Sequence, residues 1–587
     1  MSYNLSWDHF RAESAIHLKK ALLQTGLTEA DIAIMDFYNL LVEPPDLNMA
    51  DLAFGCFIAS KILKKSPAVV ASEVAAKISS PSFSSVKAAG PYVNFIFTNQ
   101  FYKKNLMDRI ADQSFFKQNL TDSKEKMMIE YSQPNTHKEL HVGHLRNACL
   151  GDSLIRMLKY SGFSVIGSTF PGDVGTHVAK CLWYLKFHNR EPVPQTRKGE
   201  WIGSIYSKAH LKLEDETGTP QEDRNREQLT LILKQLENQS GEYYDLWKET
   251  REWSIELMNQ VYNWAGISFD RWYWESEVDA PSVAYVKKLF AEGKLVQSEG
   301  AIGYDLTDEN LGFCLLLKSD GNGLYATKDL ELARKKFQDF NIDKSIYVVD
   351  LRQELHFKQV FKVLEKLGFE KAKNCFHLKY NFVELPDGAM SSRKGNIVPL
   401  LTLVKNMEVM IKTNYLERYR NEWDPTEIDL TATQVAKGAI RYGMLRQDTA
   451  KKIIFDLNEW LKLDGESGPF IQYSVARIHS LLKKFEFNAA ELQNVDLLLH
   501  PTEHRLLQKM AYFNNNVLMC AQQNKPSSLC TYLYELAKLF NQFYHDCSIG
   551  NAETPQLKMA RLLLSYDVSA VLTEGLSLLG IPSVQRM

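Results

Sequence analysis

The sequence predicts a multidomain α/β and α protein, in which an α/β domain on a parallel sheet lies between an N-terminal α+β module and a C-terminal all-α domain. Three observations support this prediction. At 587 residues the chain is too long for one compact core. Between about residues 125 and 175, strand-like apolar runs alternate with a helical apolar stripe. From about residue 432 onward only helical periodicity remains.

We expect the N-terminal α+β module over residues 1–120. Helical periodicity dominates 8–25 and 48–64. The alternation of apolar and polar residues over 92–97 then predicts a half-buried strand that presents Asn94 on its polar face.

The α/β domain is expected over residues 121–400. Residues 127–131 predict a buried parallel strand, a helix follows and ends near Gly162, and FSVIGSTF predicts the next strand. A charged, tryptophan-dotted stretch over about 186–275 is interpreted as an insertion. The α/β pattern then resumes with IGYDL, GFCLLLK and SIYVVD, and a helix begins near Leu355. We expect a connecting segment over 401–431 and a helical domain over 432–587.

Composition narrows the class of protein. The net charge is −2 and there is no basic tail, which does not exclude local basic patches for nucleic acid. Eight cysteines without CxxC spacing predict reduced, mostly buried thiols, and no metal site is predicted. No signal peptide and no apolar run of membrane-spanning length is visible, so we expect a cytoplasmic protein without membrane contact.

The segment HVGH, between a predicted strand and a predicted helix, has three interpretations. His141 and His144 could bind zinc, although the metalloprotease spacing is HExxH and no third ligand is near. They could be core histidines that bond backbone carbonyls. At a helix N-terminus they could instead donate to phosphate, with Gly143 leaving room for a nucleotide base.

A second segment, AMSSRKGN at 389–396, favours the phosphate interpretation. Hydroxyl and backbone donors with Arg393 and Lys394 could fold over a triphosphate. By itself this segment would be an ordinary basic surface turn. Together with HVGH after a strand, it indicates a nucleotide site.

These residues resemble a known family. HVGH resembles the His-Ile-Gly-His signature of class I aminoacyl-tRNA synthetases, and MSSRKG resembles their Lys-Met-Ser-Lys-Ser loop. More specifically, the chain resembles the arginyl-tRNA synthetases, which it matches in order through EYSQPNTHKELHVGHLRNACLGDSL, GLYATKDL, YVVDLRQELHF, MSSRKGN, GPFIQYSVARIHSLL and GIPSVQRM. The resemblance covers nearly the whole chain and implies a Rossmann-like catalytic domain and an anticodon-binding helical bundle.

The resemblance implies activation of L-arginine by ATP and its transfer to tRNA(Arg), with Mg²⁺ accompanying ATP and no protein ligand assigned to the metal. It implies a monomer. The residues expected to bind ATP or to act in catalysis are Lys138, His141, Gly143, His144, Met390, Ser391, Ser392, Arg393 and Lys394.

The second segment departs from the class I loop at two positions. Ala389 and Ser392 replace its first and second lysines. In arginyl enzymes a lysine just before the histidine pair is thought to compensate for the second, and Lys138 occupies that position here. The ordinary alternative for Lys138 is a solvated surface charge. Ala389 has no such compensation.

The arginine pocket implied by the resemblance needs carboxylates that fit a guanidinium. Its expected residues are Glu130, Asn135, Tyr325, Asp329 and Gln353. The block 172–177, GDVGTH, resembles the Gly-Asp-Trp-Gly block of the family, with Val174 for Trp and His177 for Gln.

Aromatic side chains that stack on unpaired bases are expected to contact tRNA. By the resemblance, the N-terminal module touches the tRNA elbow and the helical domain reads the anticodon. The residues expected there are Tyr92, Asn94, Gln472, Tyr473, Arg477, Tyr544 and Met587. Burial in the core is the alternative for Tyr473 and Tyr544.

Two other functions stay open at this point. A nucleotidyltransferase that does not act on tRNA would also use HxGH, but it would have no use for a long helical C-terminal domain. An inactive, RNA-binding relative would be consistent with Ala389, although the histidine pair, Lys138 and the pocket acids are all retained.

Overall fold

The N-terminal module is an antiparallel sheet with five helices in the computed structural model, which describes residues 7–385, 388–389, 399–488 and 494–587. Its elements are α1 (His9–Gln24), α2 (Glu29–Ala33), α3 (Phe37–Leu40), β1 (Leu41–Val42), β2 (Leu52–Gly55), α4 (Phe57–Leu63), α5 (Pro67–Ala75), β3 (Phe83–Ala89) and β4 (Tyr92–Phe97). The strands lie in the order β1-β2-β4-β3. A bent helix follows, made of α6 (Asn99–Tyr102), a π-helical turn (Lys103–Met107) and α7 (Asp108–Ala111).

The sequence prediction for this module is confirmed in β4 and wrong in β2. Side chains alternate between buried and more exposed along β4, and Asn94 is half-buried. Residues 52–55, within the predicted helix over 48–64, instead form β2, and all four are buried. A short apolar run that is buried throughout lacks the alternation that would mark it as a strand.

The next part of the chain holds the predicted strand–helix–strand unit and a helical insertion. β5 (Lys126–Glu130), α8 (Val142–Tyr160) and β6 (Ser164–Thr169) form the unit, and Gly162, with φ of +97°, ends the turn after α8. Four helices precede β7 (Arg271–Trp272), and we call them the helical insertion: α9 (Thr176–Phe187), α10 (Lys198–Asp215), α11 (Gln221–Glu237) and α12 (Glu242–Ala265). Trp183 and Trp253 lie in two apolar clusters of this insertion.

Two sheets complete the α/β domain. The elements are α13 (Glu275–Ala291), β8 (Val296–Ser298), β9 (Ala301–Leu306), β10 (Gly312–Leu317), α14 (Tyr325–Phe340), β11 (Lys344–Asp350), α15 (Glu354–Lys366) and β12 (Cys375–Tyr380). The parallel sheet has the order β12-β11-β5-β6-β7. IGYDL and GFCLLLK lie in a separate antiparallel sheet, β10-β9-β8. Because the chain continues to opposite sides of β5, the carboxyl end of β5 is a topological switch point, where ligands bind in such folds.

The C-terminal part is almost entirely helical, as predicted. Its elements are β13 (Val383–Leu385), β14 (Gly388–Ala389), α16 (Leu400–Ile411), α17 (Pro425–Leu445), β15 (Ile453–Ile454), α18 (Leu457–Trp460), α19 (Gly468–Lys484), α20 (Pro501–Ala511), α21 (Phe513–Gln522), α22 (Pro526–Asp546) and α23 (Pro555–Leu578). Short 3₁₀ or π turns lie at Thr307–Glu309, Leu351–Gln353, Glu370–Asn374, Lys412–Leu416, Glu417–Tyr419 and Val495–Leu497. Among the described residues, no helix combines the length and apolarity needed to cross a membrane.

A fully buried arginine joins three parts of the fold. Arg441 of α17 donates from Nε to the carbonyl of Leu579 at 2.6 Å and from Nη1 to the carbonyl of Ala265 at 2.9 Å. Its Nη2 forms an ion pair with Asp152 of α8. The helix that carries HVGH is thereby tied to the end of α12 and to the segment after α23.

Candidate active site

A cavity of about 730 Å³ lies at the carboxyl ends of β5, β6 and β11. Most of the residues around it come from the loops after these strands and from the first turns of α8, α13 and α14, and others come from β12, β13 and α15. Its lining includes Glu130, Ser132, Gln133, Asn135, His141, Gly143, His144, Phe170, Gly172, Glu275, Tyr325, Lys328, Asp329, Asp350, Arg352, Gln353 and Val383. Eight of the residues expected from the sequence therefore surround one space.

The histidine pair caps α8. The backbone N–H of Gly143 donates to Nδ1 of His141 at 3.1 Å, and the backbone N–H of His141 donates to Nδ1 of His144 at 3.2 Å. Since a ring nitrogen that accepts a hydrogen bond carries no proton, each neutral ring carries its proton on Nε2. Neither Nε2 has a hydrogen-bond partner among the residues that the structure describes. The ring centroids lie 4.0 Å apart, so the cavity wall holds two adjacent donors.

Burial keeps both imidazoles neutral. It lowers the pKa of His141 to about 4. It also lowers the pKa of His144 well below the ordinary histidine value, and the nearby His141 and Lys138 add to this effect. Neutral rings cannot supply a proton as imidazolium near pH 7, but they can donate hydrogen bonds to anionic oxygens. Within the described ranges no group of three or more His, Cys, Asp or Glu side chains is arranged to hold a metal ion.

The second segment of the predicted nucleotide site, with Met390, Ser391, Ser392, Arg393 and Lys394, lies outside the described residues. Both of its flanks are described. Before it, β14 pairs with β13, and Val383 of β13 lines the cavity. After it, the backbone N–H of Leu400 donates to the carbonyl of Leu140 at 3.0 Å, beside His141. The segment thus leaves and rejoins the described chain next to the cavity.

Lys138 lies near the cavity but is not among its lining residues. Its ammonium lies 5.0 Å from the ring centroid of Tyr206, a residue of α10 in the helical insertion. Its charge nevertheless contributes to the lowered pKa of His144 and of His177. Lys138 is therefore close enough to the histidine pair to affect it electrostatically.

Glu130, expected in the arginine pocket, is buried at the end of β5 and lines the cavity. Its carboxylate forms an ion pair with Lys336, which is fully buried, and it accepts from Nε2 of Gln133 at 3.2 Å. The Lys336 ammonium also lies 3.9 Å from the ring centroid of Tyr347. The negative charge of Glu130 is thus already balanced inside the protein.

Glu275 is a carboxylate of the cavity wall that the sequence analysis missed. It begins α13, and its side chain is only 8% exposed. Burial raises the pKa of Glu275, and the ammonium of Lys328, whose Nζ lies 2.5 Å from Oε1, opposes that rise. Lys328 also lies 3.0 Å from Asp279. No motif marks Glu275 in WYWESE, and its only signal is its position at the start of a helix after a strand.

Tyr325 and Asp329 lie one turn apart at the start of α14 and both line the cavity. Tyr325 is 74% exposed, whereas the Asp329 side chain is 14% exposed. Asp329 is bonded to Nε2 of His356 at 2.5 Å, a partner that the sequence analysis did not identify. Gln353 lines the cavity at the end of β11. Tyr325 and Asp329 thus border the cavity from α14, and Gln353 borders it from the turn after β11.

Asn135 approaches the loop after β6 very closely. It pairs through its backbone with Gly172, and a Cβ on Gly172 would lie 2.3 Å from Oδ1 of Asn135 and 2.9 Å from Oε2 of Glu275. Only glycine fits at position 172 without moving these two side chains. Asn135 and Glu275 are therefore neighbours in the cavity wall.

The GDVGTH block is held by the helical insertion and by α13. Asp173 is fully buried and accepts from the backbone N–H of Ser276 at 2.8 Å and from its hydroxyl at 2.7 Å. Nε of Arg251 lies 2.8 Å from the same carboxylate, and Nε1 of Trp247 donates to the carbonyl of Asp173 at 2.7 Å. His177 is half-buried and donates to the carbonyl of Gly172 at 3.3 Å.

The residues expected at the tRNA elbow lie on one sheet of the N-terminal module. Tyr92 is 37% exposed, and its ring contacts that of Phe57 edge-on at 5.7 Å. Phe57, which the sequence analysis did not single out, is 47% exposed. Asn94 lies on the same strand, opposite Lys87 of β3. The module thus presents two aromatic rings with a lysine nearby.

Three residues expected at the anticodon form one cluster. The guanidinium of Arg477 lies 5.0 Å from the ring centroid of Tyr473 and 5.5 Å from that of Tyr544. Tyr544 is 40% exposed. Gln472, by contrast, is fully buried and donates to the carbonyls of Gln434 and Pro582, so its side chain is not accessible to RNA in this structure.

Met587 is also mostly buried, at 8% exposure. Its carbonyl accepts from the hydroxyl of Tyr419 at 3.4 Å. Only a small part of its side chain is therefore exposed for contact with RNA.

Comparisons with known proteins cover nearly the whole chain. Residues 15–97 match the family model "Arginyl tRNA synthetase N terminal domain", residues 107–457 match "tRNA synthetases class I (R), catalytic domain", and residues 471–587 match "DALR anticodon binding domain". An arginine–tRNA ligase of Bdellovibrio bacteriovorus is 61% identical over 94% of this chain and 95% of its own. One of Clostridium perfringens is 33% identical over 97% and 100%.

Solved structures show the same fold. The arginyl-tRNA synthetase of Thermus thermophilus superposes with a TM-score of 0.78 at 24% identity, covering 98% of this chain and 100% of the other. That of Plasmodium falciparum superposes with a TM-score of 0.75 at 20% identity, covering 100% of both. The predicted fold class is confirmed by these structures and by the family models.

Proposed function

The chain belongs to the class I arginyl-tRNA synthetases, and on that premise we propose which of its residues perform the reaction of an arginine–tRNA ligase. In this reaction a carboxylate oxygen of L-arginine attacks the α-phosphorus of ATP and pyrophosphate leaves. The arginyl group then passes to the 3′-terminal ribose of tRNA(Arg), and AMP leaves. Catalysis of such steps depends mainly on positioning and on stabilising developing charge.

ATP is proposed to bind at the N-terminus of α8. The two Nε2–H donors of His141 and His144 carry this assignment, because they are neutral, adjacent and unpaired at a helix end that favours anions. They would donate to phosphoryl oxygens as charge develops on them. Gly143 would lie against the adenine, and the residues at 390–394 would cover the phosphates.

Arginine is proposed to bind between the loop after β6 and α14. Glu130 and Asn135 both line the cavity and would bind the α-amino end of the substrate. Glu275 and Asp329 would bind the guanidinium, whose planar fork suits carboxylates. Tyr325 and Gln353 would complete the pocket.

Lys138 is proposed to supply the positive charge that Ser392 cannot. It precedes the histidine pair by three residues, and its charge already influences the pKa of His144. Lys138 would neutralise charge on the phosphates of ATP as pyrophosphate leaves. It would have to move from its present position over Tyr206 to do so.

Mg²⁺ is proposed to accompany ATP, bound by the phosphates. The described residues of the cavity include carboxylates but no cluster suited to a metal ion, so no protein ligand is assigned. Mg²⁺ would neutralise phosphate charge when bound.

We further propose that the protein acts as a monomer in the cytoplasm, with tRNA contacted by Tyr92 and Asn94 and by the cluster of Tyr473, Arg477 and Tyr544.

The role of the histidine pair can be tested by His141→Asn. The Asn oxygen can still cap α8, since Asn is a favoured N-cap residue, but the Nε2–H donor is lost. We expect kcat of tRNA-dependent, arginine-dependent ATP–pyrophosphate exchange to fall roughly 100- to 1,000-fold. The melting temperature should change little.

A matched control is available in the same chain. His500 caps α20 in the same way, with the backbone N–H of Thr502 donating to its Nδ1 at 3.2 Å, and it is not among the residues that line the cavity. His500→Asn should leave exchange unchanged. Full activity of His141→Asn would contradict the assigned role. Absence of exchange in the unmodified protein, with tRNA and each amino acid supplied, would favour an inactive relative instead.

A further inference from the structure

Every polar group of His137, the residue immediately before Lys138, makes a hydrogen bond. His137 is fully buried. Its backbone N–H donates to the hydroxyl of Ser254 at 2.9 Å, and its carbonyl accepts from Sγ of Cys181 at 3.6 Å. Its ring nitrogens lie 2.9 Å from the hydroxyl of Thr136 and 2.8 Å from that of Thr250. Three of these partners belong to the helical insertion.

The direction of the ring hydrogen bonds can be assigned from Thr250. The Thr250 hydroxyl donates to the carbonyl of Leu246 at 2.8 Å, so it accepts from His137 Nε2. Nδ1 then carries no proton and accepts from the hydroxyl of Thr136. Burial lowers the pKa of His137 to about 3, and Arg251 adds to that effect, so the ring stays neutral. His137 is thus a structural contact whose ring is neutral near pH 7.

The backbone of His137 shows that these contacts impose a conformation. Its φ is +60°, in the left-handed region that residues with a side chain seldom occupy. Such a conformation persists only where the surroundings enforce it. At His137 the surrounding residues that hold this conformation are Thr250 and Ser254, which lie one turn apart on α12. The conformation of His137 in turn sets the direction in which the chain enters residue 138.

We infer that His137 is a positioning residue for Lys138, and that Thr250 and Ser254 of the helical insertion fix, through His137, where the Lys138 side chain leaves the loop. This inference rests on the proposed role of Lys138 in arginine activation. Lys138 itself contacts the same insertion through Tyr206 of α10. The insertion therefore positions the lysine that stands in for the one missing from the second segment.

The same face of α12 supports the opposite side of the cavity. Trp247 and Arg251 precede Thr250 and Ser254 by three residues each, and both of them hold Asp173. One helix face thus supports the loop that carries Lys138 and the loop next to Glu275. A displacement of α12 would change both.

The test uses the full-length protein with Thr250→Val and Ser254→Ala combined, which removes the two hydroxyls with little change in volume. We expect kcat of tRNA-dependent ATP–pyrophosphate exchange to fall roughly 10- to 100-fold, the loss typical of a misplaced catalytic group. KM for arginine and the dissociation constant for tRNA should stay within about twofold of the unmodified protein. Thr230→Val, the same change on an exposed face of α11, is the matched control and should have no effect.

Coupling to Lys138 separates a positioning role from a structural one. In a Lys138→Ala background the double substitution should lower kcat less than twofold further, because the positioned group is already absent. An equal loss in both backgrounds would overturn the inference. The inference would also be overturned if kcat were unchanged in the double variant while Lys138→Ala alone strongly lowered kcat. That result would leave the proposed role of Lys138 intact.

Normal kcat in Lys138→Ala would instead refute the proposed role of Lys138 and the inference with it. If the double variant is not folded by circular dichroism, His137→Gly replaces it, since glycine adopts the positive φ without strain but lacks the ring. The same loss of kcat and the same dependence on Lys138 are expected of it, and their absence would overturn the inference.

Discussion

The proposed arginine pocket makes a quantitative prediction for Glu275→Gln. The change keeps the shape of the side chain and removes its charge. Glu275 is 8% exposed, so water can replace little of the lost interaction with a guanidinium. Loss of one partner of a desolvated charge pair costs about 2–5 kcal/mol, and we take about 2–3 kcal/mol because the amide oxygen still accepts a hydrogen bond.

This energy corresponds to a rise of roughly 30- to 150-fold in KM for arginine, at tenfold per 1.4 kcal/mol. Lys328 keeps a partner in Asp279 at 3.0 Å, so the site is not left with an unpaired ammonium. KM for ATP should stay within about twofold, because the proposed ATP site uses other residues. The assay is ATP–pyrophosphate exchange with saturating tRNA, with arginine and ATP varied in turn.

Glu277→Gln is the matched control. Glu277 lies two residues further along α13, has a half-buried side chain and pairs with Arg271, with Nη2 and Oε1 2.5 Å apart, but it is not among the cavity residues. Its substitution should leave both KM values unchanged. A change of less than fivefold in KM for arginine in Glu275→Gln, or an equal change in KM for ATP, would refute the proposed contact with the guanidinium.

Three further predictions follow from the geometry. Gly172→Ala should lower kcat/KM for arginine roughly 10- to 100-fold in the exchange assay, because its Cβ would displace Asn135, and unchanged kinetics would show that Asn135 does not hold the substrate. Arg477→Ala should weaken tRNA binding roughly tenfold and reduce the salt dependence of the dissociation constant, measured by filter binding. An unchanged dissociation constant would show that the cluster of Tyr473, Arg477 and Tyr544 does not bind tRNA. Stability should fall as the pH is lowered from 7.5 to 5.5, because the folded-state pKa values of His137 and His141, about 3 and about 4, lie below the unfolded value, so protons bind preferentially to the unfolded chain. Each of the two should contribute about 1.4 kcal/mol to the loss, and a melting temperature that stays constant over this range would contradict their burial as neutral rings.

Short-range patterns explain why much of the fold was predictable. The stripe of α8 and the apolar strand before it follow directly from periodicity, and the C-terminal helices do so as well. β2 was missed because four consecutive buried residues show neither period. β9 and β10 were recognised as strands, but nothing local shows which of two sheets a strand will join.

Which residues of the candidate site could be predicted also depends on whether their signal is local in the sequence. HVGH was notable for its place between a predicted strand and a predicted helix, whereas Tyr325 and Asp329 were expected only through the family resemblance. Lys336 lies 206 residues after Glu130, and His356 lies 27 residues after Asp329, so no motif links these partners. Glu275 was missed for the same reason. Gln472 was expected at the anticodon through the resemblance, but its side chain is fully buried and donates to two backbone carbonyls, which the sequence does not show.

The contacts that α8 makes with the end of the chain also constrain the order in which the protein can fold. The hydroxyl of Ser153 on α8 donates to the carbonyl of Leu578, 425 residues later, and Arg441 bonds the carbonyl of Leu579. During synthesis α8 therefore lacks these partners until nearly all of the described chain has been made. Contacts between residues so distant in sequence form slowly. Until the carbonyl of Leu579 is available, the guanidinium of Arg441 lacks a hydrogen-bond acceptor, and the incomplete chain can misfold at this point. Activation of arginine and completion of the anticodon-binding part are thus linked at the stage of folding, before any tRNA is bound.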